Sequence, residues 1–182
     1  EAMIEVQDYT ERMTRAAITD IPDGTYRAEE YADTDGFSTD PIRLKLELRI
    51  DGDRIEVDFT GTDPMATGAI NSPLANTTSA VYYSLKAFLQ PDAPPNHGMY
   101  RSIDITVPEG SWLNSRWPAP TVGCTTVAAA KVGAAIWEAM ALAVPDLAVA
   151  PTNTECNWFM AAVEDADGAP ALYSELPPGG WG

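Results

Sequence analysis

Four stretches dense in glycine, proline and asparagine carry the side chains best suited to holding a ligand. The first runs from Asp58-Phe59-Thr60-Gly61-Thr62-Asp63-Pro64 into Gly68-Ala69-Ile70-Asn71-Ser72-Pro73. The second is Pro94-Pro95-Asn96-His97-Gly98-Met99-Tyr100-Arg101. The third runs from Pro108-Glu109-Gly110-Ser111-Trp112-Leu113-Asn114 into Trp117-Pro118-Ala119-Pro120, and Gly179-Gly180-Trp181-Gly182 is the fourth. Glycine lets a backbone approach a ligand closely, and asparagine donates and accepts at once. Asp58, Asn71, Asn96 and Arg101 are therefore the candidate substrate-binding residues. Each has a second reading. Asp and Asn in such loops also cap turns through their own side chains. Arg101 can clamp an anionic group, but among 27 acidic residues a structural ion pair is an equal expectation.

The usual catalytic signatures do not occur. There is no GxSxG, no GxxxxGK[ST], no GxGxxG and no HExxH. His97 is the single histidine, which excludes a two-histidine metal site, and no metal is assigned to the chain. A lone loop histidine reads as a surface residue. Cys124 and Cys156 have no CxxC spacing and read as free, buried thiols of a reducing cytoplasm. Eleven basic residues against 27 acidic leave a net charge of -16. Such a surface repels phosphate backbones and anionic lipids, so neither nucleic acid nor membrane is an expected partner.

The elements that must position these loops follow from periodicity. Residues 2 to 20 carry Met3, Val6, Tyr9, Met13 and Ala17 at near-helical spacing, and the pattern stops before Pro22. Thr25 to Tyr31 suits a strand, followed by an acidic loop from Asp33 to Asp40. Ile42 to Ile50 alternates apolar and polar residues, as a strand with one buried face does. Asp51-Gly52-Asp53 turns it into Arg54 to Phe59, a hairpin signal. A helix is predicted over Thr77 to Leu89, capped by Asn76 or Thr77. A strand follows over Ser102 to Val107. A long Ala-rich helix spans about Thr125 to Val144, with Val132, Ile136, Met140 and Val144 in one stripe. Lys131, Gly133 and Glu138 interrupt its apolar stretch, which marks a core helix rather than a membrane span. Asn157 to Glu164 and Ala171 to Leu176, joined at Asp165-Ala166-Asp167-Gly168, form a second hairpin. The expected fold is α+β: an antiparallel, hairpin-rich sheet with about three packed helices. Residues 1–182 make a single domain or a fragment of a larger subunit, since residue 1 is not Met and the chain stops at a Gly-Gly turn.

Taken in order, these pieces resemble one family. They are Tyr9-Thr10-Glu11-Arg12-Met13, Pro22-Asp23-Gly24-Thr25-Tyr26, Asp33-Thr34-Asp35-Gly36, Val57 to Pro64, Gly68-Ala69-Ile70-Asn71, Asn96-His97-Gly98, Val107-Pro108-Glu109-Gly110-Ser111 and Gly179-Gly180. The ordered set resembles a central stretch of the hydantoinase B / oxoprolinase family, which includes N-methylhydantoinase and 5-oxoprolinase and is related to acetone and acetophenone carboxylases. The resemblance implies an ATP-dependent enzyme acting on a cyclic amide. It implies a hetero-oligomer with a hydantoinase A-type partner, and it places ATP and Mg on that partner. A divalent metal, where members carry one, is implied upstream of this stretch. The sequence departs from the family pattern at Arg101-Ser102-Ile103 and at Asn114-Ser115, with Trp112 and Trp117 nearby, so hydrolysis and carboxylation both stay open. A non-catalytic interaction module, docking through the Ala-rich helix and the tryptophans, is the reading from a different class.

Overall fold

The computed structural model describes residues 2–150 and 159–176. Alternation builds the sheet. In β2 (Ile42–Asp51), Leu44, Leu46, Leu48 and Ile50 are buried, while the intervening residues face outward. Each such leucine stabilises the fold by roughly 2 kcal/mol relative to exposure. β1 (Gly24–Ala32) and β3 (Arg54–Asp58) flank β2, both antiparallel to it. Gly52 closes the β2–β3 turn at φ 60, a conformation that favours glycine. The outer face is wet and laced with cross-strand pairs, including Arg27–Glu47, Arg49–Glu56 and Arg54–Asp104.

The fourth strand, β4 (Ile103–Thr106), departs from the all-antiparallel expectation. It pairs with β3 in parallel, Ile55 against Ile103 and Asp58 against Thr106. The reason is the connection. Residues 59–102 carry two helices, long enough for the chain to return to the start of the sheet before re-entering it. The sheet order is β1-β2-β3-β4, and β1, β3 and β4 run the same way. The α+β class stands, and the described residues hold three long α-helices and one of a single turn.

α1 (Ala2–Thr19) turns a different face inward from the one its apolar stripe suggests. Thr10, Thr14 and Ile18 are buried, while Met3, Val6 and Tyr9 are exposed. The threonine hydroxyls bond back to Val6 O and Thr10 O one turn earlier, so they enter the interior already satisfied. α2 spans Leu74–Leu89, starting before the predicted cap. Pro73 stands at its N-cap without a side-chain bond, and Asn76 and Thr77 lie inside the first turn. Their side chains reach across to Cys124 O and Leu113 O instead. α3 is one turn, His97–Tyr100.

The Ala-rich helix opens with a π-helical turn, Cys124–Ala128, and continues as α4 (Ala129–Ala143). Val132, Ile136 and Met140 are fully buried as the stripe requires, and Val144 is half-buried. By length and composition Cys124–Ala143 is apolar enough to cross a membrane, but half of that stretch is buried against the sheet and α2, as in a core helix. Gly133 lets α2 approach, with the Tyr83 hydroxyl and Ser84 Oγ beside it. Lys131, nearly buried in α4, meets Glu30 on the inner face of β1 at 3.7 Å. Burial pushes the Glu30 carboxyl up, and the Lys131 charge opposes that shift. Cys124 is half-buried rather than buried. β5 (Phe159–Glu164) and β6 (Pro170–Glu175) form the second hairpin. Cys156 and the fourth loop, Gly179 to Gly182, lie outside the described residues.

Candidate functional site

Three loops meet because three strands point the same way. The carboxyl ends of β1, β3 and β4 lie at one end of the sheet, where the segments 33–41, 59–73 and 107–123 emerge. In open α/β sheets ligands are bound in the crevice beyond the carboxyl ends of the strands, and by analogy this end is the candidate site. The amino ends of α2 and of the π-helical turn open toward the same end, since each follows directly on one of these loops.

Backbone bonds zip two of the loops together. Pro64 bridges Ser111; Met65 N donates to Gly110 O at 3.0 Å and Trp112 N to Asp63 O at 3.2 Å. Ser72 N donates to Trp112 O at 2.7 Å, and Ser115 N to Ser72 O at 3.0 Å. Gly110 takes φ 85, which lets the chain turn back there. Trp112 is fully buried, its indole N–H donating to Arg43 O at 3.0 Å, so it belongs to the core and not to a pocket wall.

Asn71 stands at the centre of this end and is fully buried. Its Oδ1 accepts from Ala66 N at 2.8 Å. Its Nδ2 donates to Ala66 O and Gly68 O, both at 2.9 Å, and to Pro120 O at 3.2 Å. One carboxamide thus ties the first loop to itself and to the third. Asp58, at the end of β3, accepts from Thr60 N at 2.8 Å and closes the turn toward Gly61.

The second loop lies elsewhere. It enters β4 at the amino end, opposite to the other loops. Asn96 caps α3, accepting from Gly98 N at 2.9 Å while Nδ2 donates to Thr10 Oγ1 at 2.8 Å. Arg101 grips α1 through Asp8 at 2.8 Å, Glu11 at 3.0 Å and Gln7 at 2.9 Å. Asp8, then Glu11, hold the guanidinium above its usual range. Of the four residues, the structure brings Asp58 and Asn71 to one end and Asn96 and Arg101 to the other. His97 is exposed at the second end, edge-on to Tyr100.

One residue at the loop end was passed over in the sequence. Asp35, in the acidic loop after β1, accepts from Phe37 N at 2.9 Å and Ser38 N at 2.8 Å through Oδ1, and from Gly68 N at 2.9 Å through Oδ2. Backbone donors, Ser38 first and then Gly68 and Phe37, hold its carboxyl down to about 2. Gly68 is packed so tightly that a Cβ there would overlap the Asp35 carbonyl oxygen. The Asp-x-Asp-Gly stretch was the available signal; its partner at Gly68 is remote in sequence and left none.

The backbone donors and carboxylates named at this end are spent on one another, with Asp35, Asp58 and Asn71 each accepting from loop N–H groups, so they set the shape of the end. Cys124 is at the same end and His97 at the other, so these two do not form a thiol–imidazole pair. Among the described residues no group of three or more His, Cys, Asp or Glu gathers where it could hold a metal ion.

The family model for hydantoinase B/oxoprolinase matches residues 1–182. A protein of Pseudomonas sp. strain NS671, assigned as the B component of a D-/L-hydantoinase, is 38% identical over 129 residues, covering 65% of this chain and 22% of that protein. The beta chain of the caprolactamase of Pseudomonas jessenii is 32% identical over 143 residues, covering 78% of this chain and 24% of its own. The crystal structure of the ATP-dependent caprolactamase from Pseudomonas jessenii superposes with a TM-score of 0.82 at 27% identity, over 93% of this chain and 29% of that one. Nucleotide-free acetone carboxylase matches with a TM-score of 0.78 at 16% identity, over 90% of this chain and 24% of that one, a likeness of fold. The chain thus spans about a quarter of the length of these relatives.

Proposed function

This chain belongs to the hydantoinase B/oxoprolinase family, and from that premise we propose that it is part of the B-type subunit of an ATP-dependent enzyme that opens a cyclic amide. The carrying observation is the convergence of three loops and two helix amino ends at the carboxyl ends of β1, β3 and β4. A hydantoinase A-type partner, which binds ATP and Mg, activates the substrate by phosphorylation. The electrophile then reaches this subunit ready-made, so what this subunit must supply is position and polar stabilisation.

In this reading the loop end faces the substrate. Asn71 holds the first and third loops in one geometry, and Asp58 sets the turn that starts the first. The helix amino ends that follow these loops favour negative charge, and the loops hold them in place before it develops. Asn96 and Arg101 act from the far end by fixing α1. Lactams, hydantoins and 5-oxoproline form the expected substrate class, and the relatives named for caprolactamase and hydantoinase support it.

A second reading has its own observation. The exposed apolar residues of α1 and of the β5–β6 hairpin, among them Met3, Val6, Phe159 and Leu172, suit surfaces covered within a larger assembly. The interaction role and the enzymatic one occupy different faces and are compatible. The test is ATP hydrolysis by the whole subunit mixed with its A-type partner, offered lactams, hydantoins, 5-oxoproline, and ketones with bicarbonate. Substrate-stimulated turnover that needs both chains is expected with a cyclic amide. Stimulation by ketone and bicarbonate alone would move the assignment to a carboxylase, and no stimulation at all would leave the interaction role.

A further inference from the structure

Lys131 is the one charged residue that is buried among the described residues. It lies in the first turn of α4, and its ammonium stands 3.7 Å from the Glu30 carboxylate on the inner face of β1. Alternation calls for an apolar side chain at position 30, since Ala28 and Ala32, its neighbours on that face, are both buried. Burial of the Glu30 carboxyl outweighs the attraction of Lys131 and raises it above its ordinary value. The cost of taking two charges out of water can exceed the gain from their attraction, so stability does not account for the pair.

The pattern of α4 shows what does. Val132, Ile136 and Met140 recur four residues apart, and so do Ala135, Ala139 and Ala143, all of them buried. A helix that slips by one turn, about 5 Å, therefore replaces each apolar side chain by another of its kind. Apolar packing alone separates such seats poorly. Lys131 breaks the repetition, because it begins the row that Ala135, Ala139 and Ala143 continue. A slip of one turn leaves Glu30 facing Ala135 or Val127, and a slip of two turns brings up Glu138, a like charge. Each wrong seat buries a carboxylate without a counter-charge, which is how a single buried polar pair specifies register.

We propose that Lys131 and Glu30 are a positioning pair that sets the register of α4 on the sheet, and through it the place of the π-helical turn at the candidate site. The turn leads directly into α4. Its Cys124 O accepts from Asn76 Nδ2 at 2.9 Å, and Gly123 N donates to Ala69 O at 2.7 Å, so the seat of α4 is passed on to α2 and to the first loop.

The whole subunit is compared as wild type, Lys131→Met and the double variant Glu30→Leu/Lys131→Met, by thermal melting and by hydrogen exchange. Lys131→Met alone leaves Glu30 without this partner and is expected to lower the melting temperature by about 5 °C or more. The double variant is expected to melt within about 2 °C of wild type or above it. Its amides over residues 124–131 should nevertheless exchange at least about tenfold faster, a local effect that a merely stabilising pair would not produce. Wild-type exchange over 124–131 in the double variant would overturn the register role. So would a double variant that melts well below wild type, since the pair would then act through stability. The link to the site rests on the proposed function and has its own readout, substrate-stimulated ATP hydrolysis with the A-type partner. There kcat of the double variant should fall about tenfold or more with KM unchanged. A kcat within about twofold of wild type would overturn that link. A wild-type subunit without turnover would sink the proposed function and leave the exchange result to decide the register.

Discussion

The two ends of the sheet hold their loops by different physics. At the carboxyl ends of β1, β3 and β4, a buried amide and a run of backbone bonds zip the first and third loops together. At the other end, Asn96 and Arg101 fix the second loop to α1, and Arg101 uses part-exposed ion pairs. Buried bonds are costly to leave unmade, whereas exposed pairs are weakened by water and salt. The first end is therefore built for one geometry, and the second tolerates adjustment.

The sharpest way to break this contrast is Asn71→Ala. It removes a fully buried amide and leaves the Ala66 N–H and three carbonyls, Gly68 O the most buried of them, without that partner, and a loss of about 3 kcal/mol is expected in urea denaturation. A loss no greater than that of Asn96→Ala would remove the distinction between the ends.

Two glycine substitutions probe close approach at each end. Gly68→Ala collides with the Asp35 carbonyl, and Gly98→Ala with the Gln7 carbonyl on α1. Each is expected to cost about 2 kcal/mol. Hydrogen exchange should localise the damage, to the acidic loop after β1 in the first case and to α1 in the second. Damage spread over the whole sheet by either would mean that the ends are not separable.

At the α1 end, Asn96→Ala should cost about 1 kcal/mol, the loss of a helix cap. Arg101→Ala should cost under about 1 kcal/mol, and less as salt is raised. A salt-independent loss at Arg101 would show that its pairs are shielded better than their exposure suggests.

The smallest expected effect is a pH dependence at Asp35. Its carboxyl falls from 3.8 to about 2 in the folded chain. A depressed carboxylate contributes stability that is complete above the unfolded value and is lost as pH falls through the folded one. The melting temperature should therefore drop between pH 4 and pH 2, and Asp35→Asn should flatten part of that slope. An unchanged slope in the variant would place the acid sensitivity elsewhere.

Several elements were legible because their signals are local. The alternation of Ile42 to Ile50 and the Asp51-Gly52 turn each need only neighbouring residues to be read, and both hold in the structure. Other features were illegible because a distant partner decides them. The start of α2 moved to Leu74 because Asn76 and Thr77 spend their side chains on Cys124 O and Leu113 O instead of capping. The inward face of α1 follows Thr10, Thr14 and Ile18, since hydroxyls bonded within the helix can be buried, and hydropathy alone does not count those bonds.

By itself the sequence determined the family, most of the strands and the long helices, because ordered loop motifs and periodicity are properties of the chain taken one stretch at a time. Which loops meet was decided by the tertiary structure. Asp58, Asn71, Asn96 and Arg101 look equivalent as residues of glycine- and proline-rich loops, yet the parallel pairing of β4 with β3 sends two of them to one end and two to the other. That pairing depends on the path of residues 59–102 across the sheet, a contact between segments far apart in the chain, and no local pattern encodes it.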